Sequence, residues 1–353
     1  YDVVGLLYTR TCPLACAHCI IESSPRATDK MRFGAAAELL PAIARHTTRI
    51  CFTGGEPLLY FNEILALVKA AKHLGLTTSV VSGAGWVRQA RVAEERISRL
   101  RDAGLDKLCV SADRYHEVYS PPERAHLLID IARRAGIDVI VRGVIAANQN
   151  SCQEKARFAP GDVVYDPVPL VRLGAARSLP EEHFQYTERP PSGRCKVALS
   201  PVVEPDGNVF ACCGPSRYAR KSSPLALGNI NHESLDTILS RGAQDPILKA
   251  LTLIGPYGLL ELLEKHPATE QLVPMRRGYT GMCELCLDMT DSLEVVAALR
   301  ARLTQTDAQA LLAAAELWRR SRVQPAIPFS NAFPMITSTK EASNVTHQLL
   351  SAV

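Results

Sequence analysis

The stretch Thr11-Cys12-Pro13-Leu14-Ala15-Cys16-Ala17-His18-Cys19 decides how the rest of the chain is interpreted. Its cysteines follow the spacing C-x3-C-x2-C, which lets three thiolates surround one face of a cubic iron–sulfur cluster. A closed structural cluster takes four cysteines, so a cluster held by these three leaves one iron open for another ligand. The spacing alone also permits a zinc site, because zinc takes four ligands and His18 can supply the fourth.

A second motif lies one β–α unit further along the chain. The segment Arg49-Ile50-Cys51-Phe52-Thr53-Gly54-Gly55-Glu56-Pro57 predicts a short apolar strand that ends in two glycines and a glutamate. Glycines at a strand end let a ligand approach the backbone closely, and a carboxylate there can hold an ammonium group. Gly-Gly-Glu alone is typical of a plain turn, but its position after the three cysteines makes the combination specific.

Together the two motifs resemble those of the radical S-adenosylmethionine (SAM) superfamily, whose members carry C-x3-C-x-aromatic-C in the loop after the first strand. His18 stands at the aromatic position in this chain. The resemblance implies that Cys12, Cys16 and Cys19 hold a [4Fe-4S] cluster. It implies that SAM binds the open iron and is cleaved reductively to methionine and a 5′-deoxyadenosyl radical. It also implies that Gly54-Gly55-Glu56 grips the methionine ammonium group, that His18 lies at the cofactor, and that a flavodoxin- or ferredoxin-type protein donates the electron.

The first half of the chain alternates short β-branched runs with amphipathic stretches, which predicts six strands with helices between them. The predicted strands are Val3–Thr9, Arg49–Thr53, Thr77–Ser82, Lys107–Ser111, Val139–Ile145 and Val163–Val168. The predicted helices are Phe33–Arg45, Asn62–His73, Val87–Asp102, Pro122–Ala135 and Ser151–Phe158. Strands joined by such crossovers form a parallel sheet with helices outside. A doubly wound sheet fits the pattern too, whereas the resemblance implies an α/β fold, a partial (β/α)6 TIM-like barrel with a small C-terminal β-hairpin/α auxiliary-cluster domain.

Polar residues at the predicted strand ends are candidates for the site, because barrel chemistry gathers in the loops at the strand C-termini. Ser82, Ser111 and Arg142 are predicted to contact the ribose and carboxylate of SAM, as the resemblance implies for such positions. An ordinary polar strand-end cap is the alternative for each of these three residues. The residues predicted to bind substrate or move protons, just beyond the fourth strand, are Asp113, His116 and Glu117. A solvated loop face is the alternative for them.

A second group of cysteines lies in the other half of the chain. The turn sequence Pro205-Asp206-Gly207 between the runs Val197–Val203 and Asn208–Cys212 predicts a β-hairpin. Cysteines before and after a hairpin, with a C-x2-C pair downstream, resemble the SPASM/twitch extension of the same superfamily. The resemblance implies one closed auxiliary [4Fe-4S] cluster, and thus two clusters per chain, whereas a zinc ribbon is the alternative. The implied ligands are Cys195, Cys212, Cys283 and Cys286.

Cys213 directly follows the predicted ligand Cys212. Neighbouring side chains on an extended strand point to opposite faces, so both thiols cannot easily ligate one cluster. Cys213 is predicted to be a small buried thiol or, in the alternative, a free thiol that faces the barrel and gives a hydrogen atom to a substrate radical. The remaining cysteines, which are predicted to be buried and inert, are Cys51, Cys109 and Cys152.

Residues 1–180 are predicted to form the radical SAM core, 181–292 the auxiliary-cluster domain, and 293–353 a C-terminal helix and tail. The charge is nearly balanced, with 40 Lys and Arg against 36 Asp and Glu, which gives no reason to expect a nucleic-acid partner. No apolar stretch approaches the length of a membrane span, so no membrane association is expected. Eleven cysteines in clusters, without a signal peptide, indicate the reducing cytoplasm.

The resemblance implies hydrogen-atom abstraction from a substrate carbon but does not name the substrate. A ribosomally synthesised peptide is the favoured substrate, and the alternative is dehydrogenation or epimerisation of a small natural product such as an amino sugar. A non-enzymatic metal-binding scaffold is the alternative from a different class. Because the chain starts directly at the first strand, a leader peptide is expected to need a separate binding protein.

Overall fold

The computed structural model describes residues 1–321, and six parallel strands form the larger part of its sheet. Each strand pairs with the next in chain order, from β1 to β6. All six predicted strands are confirmed, with each end within one residue of the prediction. The strands are β1 (Val4–Thr9), β2 (Arg49–Gly54), β3 (Thr77–Ser82), β4 (Lys107–Ser111), β5 (Asp138–Ile145) and β6 (Val164–Pro169).

Helices connect these strands in the order expected of a parallel α/β barrel. The third helix begins at Ala90 and not at the predicted Val87, because the preceding segment turns through Ala84, which has a φ of 57°. A four-residue helix after β4 was not predicted. The helices are α1 (Phe33–His46), α2 (Phe61–His73), α3 (Ala90–Asp102), α4 (Arg114–Glu117), α5 (Pro122–Arg134) and α6 (Ser151–Phe158).

The two faces of each strand have different surroundings, as β2 illustrates. Ile50 and Phe52 are fully buried in the same apolar cluster as Leu40 of α1 and Ile64 of α2. Cys51, between them, points to the opposite face and is half-buried. Since alternate residues of a strand face opposite sides, this second face lines the barrel interior.

The predicted hairpin is present and continues the same sheet. Its strands are shorter than predicted: β7 is Val202–Val203 and β8 is Asn208–Phe210, with β9 (Ala226–Asn229) beyond. The sheet order is β6-β5-β4-β3-β2-β1-β7-β8-β9, and β7 runs parallel to β1. The second cysteine group is therefore joined to the barrel by hydrogen bonds along the β1 edge.

The C-terminal part of the described chain is helical. The single C-terminal helix predicted within residues 293–353 is replaced by two helices, separated at residues 304–305, and the three helices directly before them were not predicted. Within residues 1–321 no single helix combines the length and apolar character needed to cross a bilayer, and Pro246–Leu253 and Gly255–Glu264 meet that test only as a pair bent by 111°. The predicted tail at 322–353 lies outside the described residues. The helices are α7 (Leu235–Gln244), α8 (Pro246–Leu253), α9 (Gly255–Glu264), α10 (Met282–Thr290), α11 (Leu293–Leu303) and α12 (Thr306–Ser321).

Candidate functional site

The three cysteines of the first motif lie in the loop that follows β1. Cys12 and Cys16 are buried and Cys19 is half-buried. Backbone N–H groups point at two of the sulfurs, from Leu14 to Cys12 Sγ at 3.5 Å and from Ser23 to Cys19 Sγ at 3.4 Å. N–H donors of this kind stabilise a thiolate ligand and tune a cluster's reduction potential.

The thiols of Cys12 and Cys16 resist ionisation unless a cation is present. Burial raises the pKa of Cys12 to about 12, and burial together with Asp113 and the other two motif cysteines raises the pKa of Cys16 well above its usual range. A metal centre deprotonates such thiols outright because its charge offsets both desolvation and mutual repulsion. The arrangement therefore fits metal ligation.

The spread of the motif thiols separates a cluster from a zinc site. Within residues 1–321, the only group of three or more His, Cys, Asp or Glu with ligand atoms within 4.8 Å of one another is Cys16, His18 and His116. Cys12 and Cys19 are outside that group. Thiolates on one zinc ion lie about 3.8 Å apart, as tetrahedral Zn–S bonds require, so the three motif thiols together do not fit one zinc ion. Cys16, His18 and His116 are close enough to share a single ion.

Glu56 is a buried carboxylate beside this loop. It accepts hydrogen bonds from Ser82 Oγ at 2.9 Å, from Gly83 N at 3.1 Å and from Leu58 N at 3.3 Å. Burial nevertheless raises the pKa of Glu56 to about 7, and within residues 1–321 it belongs to no ion pair. A buried carboxylate that lacks a cationic partner fits the ammonium group that the motif implies, because a nearby positive charge would stabilise its ionised form.

The two glycines before Glu56 are required by the protein backbone itself. Gly54 has a φ of 141°, and a side-chain carbon there would collide with the Thr9 carbonyl oxygen. A side-chain carbon on Gly55 would collide with the Thr11 carbonyl oxygen. Gly55 N donates to Thr9 O at 2.7 Å, so the glycines join β2 to the start of the loop that carries the three cysteines, the cluster loop (residues 10–24). The structure thus gives these glycines a role against residues 9–11, and the predicted approach of SAM to Gly54 and Gly55 stays a prediction.

Ser82, at the end of β3, is engaged within the protein. Its hydroxyl donates to Glu56 and accepts from Trp86 Nε1 at 3.0 Å and from Ala84 N at 3.1 Å. The hydroxyl therefore orients the Glu56 carboxylate. The predicted contact of Ser82 with SAM stays a prediction.

Ser111 and Arg142 are paired neighbours on β4 and β5, and Asp166 of β6 lies next to Arg142. Arg142 donates from Nε and Nη2 to Asp166 Oδ2 at 2.9 and 2.7 Å. Asp166 is buried, and its Oδ1 has no hydrogen-bond partner. The predicted SAM contacts of Ser111 and Arg142 stay predictions, and the ion pair with Asp166 was not foreseen, because only sheet register aligns the two residues.

Asp113 connects His18 of the cluster loop with the short helix α4. Its Oδ1 accepts from His116 Nδ1 at 2.9 Å and from Tyr115 N at 2.9 Å, and its Oδ2 accepts from Val144 N and lies 3.4 Å from His18 Nε2. Burial alone would raise the pKa of Asp113, but the two histidines and these donors hold it well below its usual range. Asp113 thus caps α4, so the structure brings it to the cluster loop together with His116, whereas their substrate or proton-transfer roles stay predictions.

His18 occupies a buried stack of rings. Its ring lies 4.9 Å from that of Tyr115, nearly parallel, and 4.9 Å from that of His116, edge-on. Burial lowers the pKa of His18 to about 4, so the imidazole is neutral at pH 7. Tyr115 in turn shares a 2.8 Å hydrogen bond with His183, a residue that sequence reasoning missed because it lies far along the chain. Glu117, the third residue predicted here, forms an ion pair with Arg157.

The four predicted auxiliary ligands converge from separate elements. Cys283 and Cys286 lie three residues apart on α10, and residues at that spacing share one face of a helix. Burial raises the pKa of Cys195 to about 12, and burial followed by the charges of neighbouring thiols raises the pKa of Cys283 and Cys286 well above the usual range. The charges of Cys195 and Cys212 contribute to the raised pKa of both α10 cysteines, so these thiols lie near one another. A cationic cluster would offset the repulsion between the thiolates, as at the first site.

Cys212 and Cys213 have different surroundings. Cys212 is buried, and its Sγ donates to Ser216 Oγ at 3.2 Å. Cys213 is exposed to the open interior of the barrel. The protein around its thiol still desolvates it and raises its pKa, as do the neighbouring Cys212 and Cys109 of β4, whereas Arg142 lowers that pKa.

The prediction that the remaining cysteines are buried holds for only part of the set. Cys109 is buried and Cys51 is half-buried on the interior face of its strand. Cys152 is exposed at the start of α6, so its prediction was wrong. It precedes the apolar residues of that helix, and α6 presents only one face to the sheet.

Comparison with known proteins agrees with both motifs. A model of the radical SAM superfamily matches residues 6–155, and a model of an iron–sulfur cluster-binding domain, SPASM, matches residues 195–251. The chain is a radical SAM protein. It carries a SPASM/twitch-type auxiliary-cluster domain, and the cofactors of this enzyme are SAM and iron–sulfur clusters, which the residues described above fit.

Individual relatives are distant. The chain is 22% identical over 295 residues to YydG of Bacillus subtilis (strain 168), provisionally named a peptide biosynthesis protein; the match covers 81% of this chain and 91% of YydG. It is 27% identical over 238 residues to the GTP 3′,8-cyclase of Rhodopseudomonas palustris, covering 62% of this chain and 65% of the cyclase. The solved structure of native anSMEcpe with bound AdoMet and Cp18Cys peptide superposes with a TM-score of 0.51 at 13% identity, covering 90% of this chain and all of that one. This likeness confirms the partial-barrel fold.

Proposed function

We propose that this radical SAM enzyme inverts the configuration of a carbon in a ribosomally synthesised peptide, with Cys213 as the hydrogen-atom donor. The observation that carries the proposal is the position of Cys213. Its thiol is exposed on the interior wall, next to the predicted auxiliary ligand Cys212 and near Arg142 of β5 and Cys109 of β4. A reaction that only removes hydrogen has no use for a donor in this position.

The choice of a peptide rests on similarity to YydG, which extends over 91% of that protein. SAM on its reduced cluster supplies a primary carbon radical that takes a hydrogen atom from the substrate and ends as 5′-deoxyadenosine. The Cys213 S–H then gives a hydrogen atom to the opposite face of the substrate carbon, which forms the new C–H bond and leaves a thiyl radical. One further electron and one proton restore the thiol.

Each turnover therefore consumes one SAM, two electrons and one proton. We propose a low-potential flavodoxin- or ferredoxin-type protein as the source of both electrons and water as the source of the proton. An iron–sulfur cluster held by Cys212 and the other three predicted auxiliary ligands would lie next to Cys213 in the chain, and it would be able to supply the second electron. Oxygen-sensitive clusters and free thiols support the predicted cytoplasmic location, and a separate leader-binding protein stays part of the proposal.

The test uses reduced enzyme, SAM and a pool of synthetic all-L peptides in D2O. Thiol protons exchange with solvent, so inversion through Cys213 adds about one mass unit to a peptide in D2O and none in H2O. Dehydrogenation or crosslinking would remove about two mass units in either solvent. An amino-sugar pool, run in parallel, tests the alternative substrate class.

Cys213→Ala is the decisive variant. We expect it to form 5′-deoxyadenosine and to retain full iron content while deuterium incorporation is lost. The matched control is Cys152→Ser, which changes a cysteine exposed elsewhere and is expected to behave as wild type. Deuterium incorporation that survives in Cys213→Ala would refute the donor role.

A further inference from the structure

A buried ion pair connects the loop that carries Cys12 with the loop that carries Cys213. Glu204 is 2% exposed, and its Oε2 accepts hydrogen bonds from Arg10 and, at 3.0 Å, from Arg217 Nη2. Arg10 is the first residue of the cluster loop (residues 10–24), which follows β1 and carries the three motif cysteines. Arg217 lies in the segment 213–218, which begins at Cys213 and which we call the donor loop. One carboxylate thus contacts both loops.

The position of Glu204 follows from the sheet. β7 runs parallel to β1, with Val203 paired to Leu6, so the two strands end at the same edge. The chain leaves β1 into the cluster loop and leaves β7 into Glu204. Glu204 N donates to Asn208 O at 2.9 Å, and Gly207 N donates to Glu204 O at 2.9 Å, so the hairpin turn holds the backbone of Glu204 in place.

A second contact joins the same two loops. Tyr218 Oη donates to the carbonyl oxygen of Ile20 at 2.6 Å, and the Arg177 guanidinium lies 4.5 Å from the centre of the tyrosine ring. A side-chain carbon on Gly214 would lie 3.4 Å from Ile20 Cγ1, so the donor loop packs directly on Ile20. Ile20 follows the last cluster cysteine and Gly214 follows Cys213, so the contact joins the residues next to Cys19 and Cys213 in the chain.

The other end of the donor loop is fixed at the auxiliary site. The Ser216 hydroxyl, fully buried, donates to Cys212 O at 2.8 Å and accepts from Cys212 N at 3.2 Å. The donor loop that begins with Cys213 is therefore held to Cys212 by the hydrogen bonds of Ser216, and to the cluster loop through the contacts of Arg217 and Tyr218.

We propose that Glu204 is a positioning residue that sets the separation between the cluster loop and the Cys213 thiol. The proposal rests on the proposed function of Cys213. Inversion removes a hydrogen atom from one face of a carbon and returns another to the opposite face, so the carbon must fit between two groups held at one distance. Small displacements of reacting groups cost large factors in rate. A donor loop that is free to move would let the substrate radical escape capture.

Glu204→Gln tests this directly, because it keeps the size of the side chain and removes the charge that both arginines face. With the peptide pool in D2O, we expect 5′-deoxyadenosine formation to continue while deuterated product per 5′-deoxyadenosine falls about tenfold to a hundredfold. A loss of both in parallel, with the ratio unchanged, would show that Glu204 only supports folding and would overturn the proposal.

A measurement without substrate separates this proposal from the function of Cys213. Pulsed EPR of the dithionite-reduced holoenzyme reports the spin–spin coupling between the two clusters, which depends on their distance. We expect Glu204→Gln to broaden or shift that coupling at full iron content. An unchanged coupling refutes the positioning role, whereas deuterium incorporation in Cys213→Ala refutes the donor role.

Two further variants complete the design. Tyr218→Phe keeps the ring and loses only the hydrogen bond to Ile20, and we expect a smaller change of the same kind, about threefold to tenfold in the product ratio. It replaces Glu204→Gln if that variant does not fold. Asp236→Asn removes an exposed ion pair with Arg45 and is expected to change neither readout.

Discussion

The two cysteine sites differ in how the chain brings their thiols together. The first site takes three thiols from residues 12–19, and a buried carboxylate, Glu56, lies beside them. The second takes four thiols from residues 195–286, contributed by a loop, the end of the hairpin and helix α10. Three local ligands leave a coordination position for a cofactor, whereas four distant ligands close a cluster and tie the elements together. The first arrangement therefore suits a cluster that binds SAM, whereas the second suits a closed auxiliary cluster.

The largest expected effect separates the sites completely. Replacing Cys12, Cys16 and Cys19 together by Ala should abolish 5′-deoxyadenosine formation, because no ligands remain for the SAM-binding cluster. The iron of the auxiliary site should remain, since its ligands lie on other elements. Anaerobic iron analysis and chromatography of the SAM products measure both. A triple variant that still cleaves SAM would refute the assignment of the first site.

The next effect concerns the adjacent pair at the second site. Cys212→Ala should lose the auxiliary iron, because its sulfur is one of four closing ligands, whereas Cys213→Ala should keep it. Iron per chain and the visible absorption of the clusters report the difference. Iron lost only from Cys213→Ala would exchange the roles of the two residues.

The metal content of the whole chain sharpens the same comparison. Seven thiolate ligands predict two four-iron clusters, or about eight irons per chain. The expected content of the triple alanine variant is about four irons. Zinc in the second site, found by elemental analysis of protein purified without oxygen, would contradict an auxiliary iron–sulfur cluster and leave the first site unaffected.

A smaller effect tests the carboxylate that distinguishes the first site. Glu56→Gln should weaken SAM binding about tenfold or more, because a charge-assisted hydrogen bond to the ammonium contributes about 1.5–3 kcal/mol. Iron content should be unchanged. Anaerobic calorimetry with SAM measures the affinity, and wild-type affinity in the variant would count against the assignment.

The smallest effect is a pH dependence of the same binding. Burial raises the pKa of Glu56 to about 7, and only the ionised carboxylate holds the ammonium group. SAM affinity should therefore fall as the pH drops through 7 and rise above it, by a few-fold across about two pH units. Glu56→Gln should show no such dependence, and an equally pH-dependent variant would place the titrating group elsewhere.

The sequence predicted the parts of the molecule that depend on local order. The six strands of the barrel were placed to within one residue because each is a short run rich in β-branched or other apolar residues between helical stretches. The first cysteine motif was interpretable because its ligands and spacing are contiguous. The helix at Met282–Thr290 was not predicted, although the sequence singled out the two cysteines on it, since a C-x2-C pair does not reveal its own secondary structure.

What the sequence determined by itself is the family and the set of candidate groups: three clustered cysteines, a glutamate predicted to hold SAM and four further cysteines predicted to close a second cluster. What only the tertiary structure decided is how these groups face one another. The pairing of β7 with β1 places Glu204 beside Arg10, and sheet register places Asp166 beside Arg142. These contacts join residues far apart in the chain, through hydrogen bonds between strands, and no local pattern records such pairings. The position of Cys213 on the interior wall, which the sequence left open between two alternatives, depends on the same pairings.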